Sequence, residues 1–570
     1  MTADLMQSPS STPGTGIRVR KVHPLLLVAL LIQVLSYAPR LSNTFQFNRF
    51  NHDDTECYVA LGWSVAEGRG YTRSLDPTYY VPHKLWPPGL PLMVAACALL
   101  SRSLVLPQIL MMLFALANSV LLWALARRHL PPGAAFVVLL MVVCSPIYDR
   151  LATVIMTEQP TLFFILLVLW AFQRWRDSGY APNRSAALVA GGLAYGILVK
   201  GLLLPLVPAL WIYALLARDT QTTRALRLRR VTLLLAVALV PWLAWGVRGM
   251  ITPAAGHDGL THIQCILSGG KVDGPNLSPT ELTASVWGNV KWFLPSRIVD
   301  SLAGAAWFLR EHLGLTVPVW AGFGALLMLF LVGMWAIRHF RQYGLLALTL
   351  GWVAVLLLIY PGGGSARYWT ALHPLMAVLV VSFAYTLWSR LRLDRPWAVV
   401  AGRSTIGLIV AAMLAILILD NVWRQPQGGR AWQAFVQICR QARASTPPDA
   451  VICSHNHVAA RIISHRPSWP SDADFAAAQA NSPAVRSVFF IVPSAQAVAR
   501  TGRQIGPVEG TSVADVERLL LGRRSVAGNG FYTLVQLVPP TGVLAATPPL
   551  AARGNTQSAA SGPGRPASNR

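Results

Sequence analysis

Seven side chains in this sequence have the type and setting to act on an anionic substrate. Asp53 and Asp54 open the stretch DDTECYVALGW, with Glu56 two residues further on, and Lys84 stands just ahead of Pro87, Pro88 and Gly89. Glu158 lies in TEQP, Lys200 in LVKGLL, and Arg367 follows three glycines in GGGSARYWTALHP. A carboxylate can take the proton of a hydroxyl as general base, and lysine or arginine can pair with a phosphate. Each residue also has a plainer use. A lone aspartate at a helix start is a cap, and a lysine beside an apolar run can extend its amine to water. Glu158, two residues before Pro160, can cap its own helix or orient a bound sugar or cation. Lys200 is different: Val199 and Gly201 flank it inside apolar segments, which leaves no solvated face.

The elements that must position these groups are membrane helices. Of 570 residues, 54% are hydrophobic and 12% charged, about half the charged share of an ordinary soluble protein. Apolar runs at about 24–40, 104–126, 131–147, 159–173, 186–199, 201–217, 231–250, 318–337, 345–360, 370–388 and 404–421 predict eleven spans. Several are shorter than the ~20 residues that cross a bilayer upright. The stretch 186–217 is read as two spans because of charge. With the N-terminus inside, the cytoplasmic segments then hold 19 Lys and Arg, including Arg218, Arg224, Arg227, Arg229 and Arg230, against Arg150, Lys200 and Arg367 in the short outer loops. That asymmetry is the positive-inside pattern, and fusing the two spans would place the five-arginine loop outside. The net charge of +25 is therefore read as topology, with anionic lipid headgroups and not nucleic acid as its partner.

This topology makes the first loop (41–103), the loop at 251–317 and everything after about 422 extracytoplasmic. The first apolar run lacks a small-residue cleavage site, so it is read as a retained span. In the first loop Tyr58, Leu61 and Val65 recur at helical spacing, predicting a helix at the membrane surface with Asp53 or Asp54 as N-cap. Pro87 and Pro88 predict a second helix, re-entrant or interfacial, starting at Leu90. Beyond the last span, WQAFVQICRQAR reads as an amphipathic helix, and AVICS (450–454), SVFFIVPS (487–494) and FYTLVQLV (531–538) read as strands. The fold class is mainly α: a polytopic helical bundle with extracytoplasmic loop helices and a small α/β domain. Its parts are a cytoplasmic segment 1–23, a membrane domain 24–421, an extracytoplasmic domain 422–540 and a disordered tail 541–570, which has too few large apolar residues for a core. Cys439 and Cys453 would face an oxidising side, although spacing alone does not decide whether they bridge.

The acidic loop, the Pro-Pro-Gly helix entry, TEQP, VKG and ARYWTALHP, in that order, resemble the GT-C superfamily of membrane glycosyltransferases. Within it they are most similar to the protein O-mannosyltransferase and lipid A aminoarabinose transferase group. The resemblance covers roughly residues 24–390. It favours Asp54 over Asp53 as the catalytic carboxylate, because Asp54 stands four residues before Tyr58. It implies donor binding by Lys84, Glu158, Lys200, Arg367 and Tyr368. Thr55 stands where the family often has a second acid, Glu158 replaces the usual aspartate, and Trp86 occupies a position that some members give to lysine. The implied reaction moves a sugar from a polyprenyl-phosphate donor to a hydroxyl of a lipid, glycan or protein acceptor, with inversion and without a cofactor; it requires no metal, although the two acids of the first loop could hold one. A lipid or sugar transporter, or flippase, is the competing class. It should show internal repeats with matching broken helices, and no convincing repeat is visible. His455, His457 and His465 lack the companions of a metal site, and Gly362 to Gly364 lack the context of a nucleotide loop.

Overall fold

The computed structural model describes residues 23–38, 41, 52–73, 75, 82–217, 222–252, 277–293, 319–359, 366–390, 404, 407–408, 411–419, 429–448, 450–454, 457–469, 488–493, 524–528 and 532–537. The 541–570 segment and the glycines before Arg367 lie outside these residues.

The chain is mainly α and has the architecture expected of a polytopic membrane protein. Among the described residues the first ten α-helices are α1 (Pro24–Tyr37), α2 (His52–Ala66), α3 (Gly89–Leu100), α4 (Val105–Ala126), α5 (Pro132–Val143), α6 (Pro146–Leu151), α7 (Glu158–Asp177), α8 (Arg184–Val199), α9 (Leu206–Leu216) and α10 (Arg224–Ile251). Apolar helices Val319–Arg338, Phe340–Ile359 and His373–Arg390 follow. By length and composition α4, α10 and Phe340–Ile359 can each cross a membrane alone. The 22 residues of α4 extend about 33 Å, against about 30 Å of hydrocarbon. Along α10 the side chains of Leu233, Val237, Val240, Leu243 and Val247 are exposed at helical intervals. Such a stripe is costly in water and natural in lipid.

The apolar stretch 186–217 breaks at Lys200. Helix α8 ends at Val199, one 3-10 turn occupies Gly201–Leu203, and α9 starts at Leu206. Lys200 is extended, with φ −158° and ψ 128°, so its side chain leaves the helical row at a corner. Gly196 makes the approach to α7 there: a Cβ would meet Leu203 at 2.3 Å and Phe164 at 2.8 Å.

Helix α2 starts at His52, so Asp53 and Asp54 stand inside its first turn and neither is the cap the periodicity suggested. The location still suits carboxylates, because the helix dipole is positive there. Nor does α2 lie open at a surface: Val59, Ala60 and Leu61 are fully buried, and Tyr58 and Trp63 nearly so. Helix α3 begins at Gly89, one residue earlier than expected. A Cβ on Gly89 would lie 2.5 Å from Val199 N and 2.6 Å from Leu198 O. The glycine is needed for contact between two backbones, at the corner that carries Lys200.

The C-terminal part contains a five-stranded sheet of order β2-β1-β3-β5-β4, with β1 Val451–Cys453, β2 Ser468–Trp469, β3 Val488–Pro493, β4 Arg524–Gly528 and β5 Tyr532–Leu537. Strand β1 runs parallel to β2 and β3, and β5 antiparallel to β3 and β4. The three expected strands are β1, β3 and β5. The two unforeseen ones are a two-residue edge and the segment RSVAG, neither with an apolar pattern to read. Helix Gly429–Ser445 covers the sheet through Phe435, Ile438, Cys439 and Ala442, and Phe435 meets the Tyr532 ring edge-on at 5.5 Å. Cys439 is a buried free thiol in this core, so it forms no bridge to Cys453.

Candidate active site

Four ionisable side chains from four distant segments meet behind α2. Asp54 comes from the first turn of α2, Glu158 from the first residue of α7, Lys200 from the corner after α8, and Arg367 from the single helical turn Ala366–Trp369. Arg367 Nη2 pairs with Asp54 Oδ2, while its Nε lies 3.6 Å from Glu158 Oε1. Lys200 Nζ lies 2.9 Å from the same Glu158 oxygen. Charges therefore alternate along Asp54, Arg367, Glu158 and Lys200, and the four sum to zero. The Asp54, Glu158 and Arg367 residues are 8%, 5% and 7% exposed. The Lys200 side chain is the most open of the four, at 16%.

Tyr368 forms one wall. Its hydroxyl accepts from Arg367 Nη2 at 3.1 Å, and Lys200 Nζ stands 4.1 Å from the ring centroid. A cation over an aromatic face gains attraction without a second carboxylate, which leaves Lys200 able to turn toward an incoming anion. Tyr58 forms another wall, one helical turn after Asp54, with its ring edge-on to Trp86 at 4.7 Å. Burial first, and then the negative Asp54 and Glu158, hold the Tyr58 phenol well above its ordinary pKa. It stays a neutral donor at physiological pH. Burial, with Arg367 nearby, pushes the Lys200 ammonium below the ordinary lysine value while Glu158 opposes the shift.

Buried amides set the frame. Asn118 of α4 donates to Gln159 Oε1 at 2.9 Å and to the Gln159 carbonyl at 3.1 Å, while Gln159 Nε2 donates to the Tyr148 carbonyl at 3.2 Å. These bonds hold the start of α7, and with it Glu158, between α4 and α6. On the other side Tyr71 donates to the Trp86 carbonyl at 2.9 Å, Trp86 N donates to His83 Nε2 at 3.1 Å, and Arg248 donates to the His83 carbonyl at 3.1 Å. The Pro-Pro-Gly entry is thus tied to the end of α10.

Of the residues chosen from sequence, Asp54, Glu158, Lys200, Arg367 and Tyr368 come together. Asp53 is in the same helical turn, and its side chain lies outside the described residues. Lys84 is half-buried before α3 and has no ion-pair or hydrogen-bond partner among the described residues. Sequence reasoning overlooked Asn118, Tyr71 and Arg248, and used Tyr58 only as a spacing marker. Asn118 carried a readable signal, a lone amide inside an apolar helix. The other two had none.

A family model described as dolichyl-phosphate-mannose-protein mannosyltransferase matches residues 86–245. No curated protein matches the sequence. Among solved structures, ArnT from Cupriavidus metallidurans bound to undecaprenyl phosphate is similar at 15% identity and a TM-score of 0.53, over 90% of this chain and 98% of that one. Its apo state gives 15% and 0.52, over 90% and 97%. The oligosaccharyltransferase of Archaeoglobus fulgidus, in complex with Zn and sulfate, gives 14% and 0.51, over 84% and 69%. At these identities the structures speak for the fold. The family match covers the segment 86–245, and the likeness of fold to these solved structures extends over most of the chain.

Proposed function

We propose that the chain transfers a sugar from a polyprenyl-phosphate donor to an acceptor hydroxyl at the extracytoplasmic surface, inverting the anomeric centre. The carrying observation is the convergence of Lys200 and Arg367 on two buried carboxylates beside Tyr368. A lipid phosphate needs cations in a dry, preformed site as it departs. The undecaprenyl phosphate in the similar ArnT structure supports a donor of this chemistry.

The chemistry balances without a further reagent. The acceptor oxygen attacks the anomeric carbon, its proton passes to Asp54, and the bond from that carbon to the phosphate oxygen breaks. The phosphate leaves with the electron pair, facing Lys200 and Arg367. Because the four charges sum to zero, an arriving phosphate competes with Asp54 for Arg367. A guanidinium that turns toward the phosphate releases the Asp54 carboxylate as a base. Donor binding would then prepare the site for the acceptor.

Two observations support the placement. The basic asymmetry predicts an outer position for Asp54, Lys200 and Arg367. Arg461 of the C-terminal part also touches Glu67 just after α2, so the first loop and the C-terminal part share a side, and an even number of crossings must separate them. The ten spans between them in the eleven-span reading have that parity.

The test is incubation of the purified protein in lipid with a panel of polyprenyl-phosphate sugars and candidate acceptors, following release of polyprenyl phosphate. Release that depends on acceptor and is lost in Asp54→Asn supports the reading. Transport of an intact lipid without release would replace it with the transporter reading.

A further inference from the structure

We propose that Arg461, in the helix His457–Ser464 of the C-terminal part, is a positioning residue for the carboxylate on α2. The α/β unit is then a working part of the active site and not an appendage. This inference rests on the reading of Asp54 as the catalytic base.

Glu67 directly follows α2 and prolongs its backbone bonding, with its N–H donating to the Trp63 carbonyl at 2.9 Å. Three guanidiniums gather on the Glu67 carboxylate. Arg69 pairs with Oε2 and Arg102 with Oε1. Arg461 Nη2 lies 3.2 Å from Oε1, and its Nη1 donates to the Leu75 carbonyl. The first two belong to the same end of the chain as α2, and the Arg102 side chain is 52% exposed. Arg461 arrives from 394 residues away and grips both the end of α2 and the loop after it. Cations near a helix C-terminus are also favoured by its dipole.

An apolar seam runs beside this clamp. Tyr58, Val59, Ala60 and Trp63 of α2 fall in one continuous buried cluster with Phe435, Ile438 and Cys439 of the C-terminal part. On α3's side there is no slack, since a Cβ on Gly62 would meet Val94 at 2.6 Å and the Pro91 carbonyl at 2.9 Å. Helix α2 is therefore wedged between α3 and the C-terminal part, pinned at its start by Arg367 on Asp54 and at its end by Arg461 on Glu67. Its 15 residues form a rod about 22 Å long. Loosening its far end rocks the near end by fractions of an ångström, and a displacement of about 1 Å can cost a catalyst on the order of 100-fold.

The experiment uses full-length protein in lipid nanodiscs as wild type, Arg461→Ala and Arg461→Lys. Amide hydrogen exchange is followed over residues 52–66, and turnover is followed as polyprenyl-phosphate release from the donor panel. We expect Arg461→Ala to speed exchange across 52–66 and to lower kcat by about 3- to 10-fold, part of the loss that such a displacement allows, with donor KM unchanged. Lysine should restore most of both. Unchanged exchange across 52–66, or a fall in kcat that lysine does not repair, overturns the proposal. If Arg461→Ala fails to fold, Glu67→Gln, which keeps the shape and removes the charge, should show the same faster exchange and lower kcat, and unchanged exchange in it overturns the proposal equally. Absence of turnover in wild type with every donor would sink the reaction proposed above, while exchange would still decide whether the C-terminal part holds α2.

Discussion

Replacing Lys200 by methionine separates a structural ion pair from a substrate contact. The substitution keeps an unbranched side chain one atom shorter and removes its charge. Glu158 Oε1 loses a partner at 2.9 Å and keeps Arg367 at 3.6 Å, while its Oε2 has no hydrogen-bond partner among the described residues. Breaking a buried pair costs about 3–5 kcal/mol when the remaining charge is stranded. Arg367 still neutralises Glu158 in part, so about 1–3 kcal/mol is expected here. Converting Glu158 to glutamine as well removes the stranded charge, and the double variant should recover most of the lost stability, since the two sites couple directly. Turnover should not recover, because the phosphate still lacks its ammonium. The assay is thermal unfolding in nanodiscs for both single variants and the double, beside polyprenyl-phosphate release. A double variant that regains wild-type turnover along with stability would show that Lys200 does nothing but neutralise Glu158.

Asp54→Asn should lower turnover by about 10²- to 10⁴-fold with unchanged folding, and Asp53→Asn far less; equal effects, read as kcat for each variant, would remove the assignment of the base. Arg367→Lys keeps the charge but cannot span Asp54 and Glu158 together, so kcat should fall about 10- to 100-fold, as for loss of a hydrogen bond to a charged group. Gly89→Ala forces the α3 backbone away from Val199 and Leu198 and should cost about 1–3 kcal/mol, seen as a lower Tm and weaker donor binding; wild-type values for both would refute the packing argument. Reporter fusions after Arg230 and after Pro540 should report cytoplasm and exterior respectively, and a cytoplasmic signal from the second would overturn the sidedness.

Much of the architecture was legible in the residue order because bilayer thickness and backbone hydrogen bonding act on every segment independently. Most of the apolar runs fall on observed helices, although α10 starts seven residues before its run and α9 five after, and the run 404–421 lies partly outside the described residues; α8 and α9 separate where the arginine distribution predicts a break. The exceptions are informative. Strand β2 is too short to carry a period, and β4, RSVAG, has no apolar alternation to read. The expected cap, Asp53 or Asp54, stands inside the first turn of α2, where the Asp54 carboxylate meets Arg367, a partner 313 residues away in sequence.

The residue types and their order by themselves determined that carboxylates and cations would stand at turns between membrane helices, since an unpaired charge is not tolerated within the spans. Their basic asymmetry also predicts which side of the membrane holds the basic loops. Only the tertiary structure decided the pairing. Whether Lys200 meets Glu158 or Asp54, and whether Lys84 joins them, depends on ångström-scale packing set by Gly89 against Val199, Gly196 against Phe164, and Asn118 against Gln159. No local pattern encodes such contacts, because each lies between segments that are far apart in the chain. The attachment of the C-terminal part to α2 belongs to the same class, since Arg461 is one arginine among many until the fold brings it to Glu67.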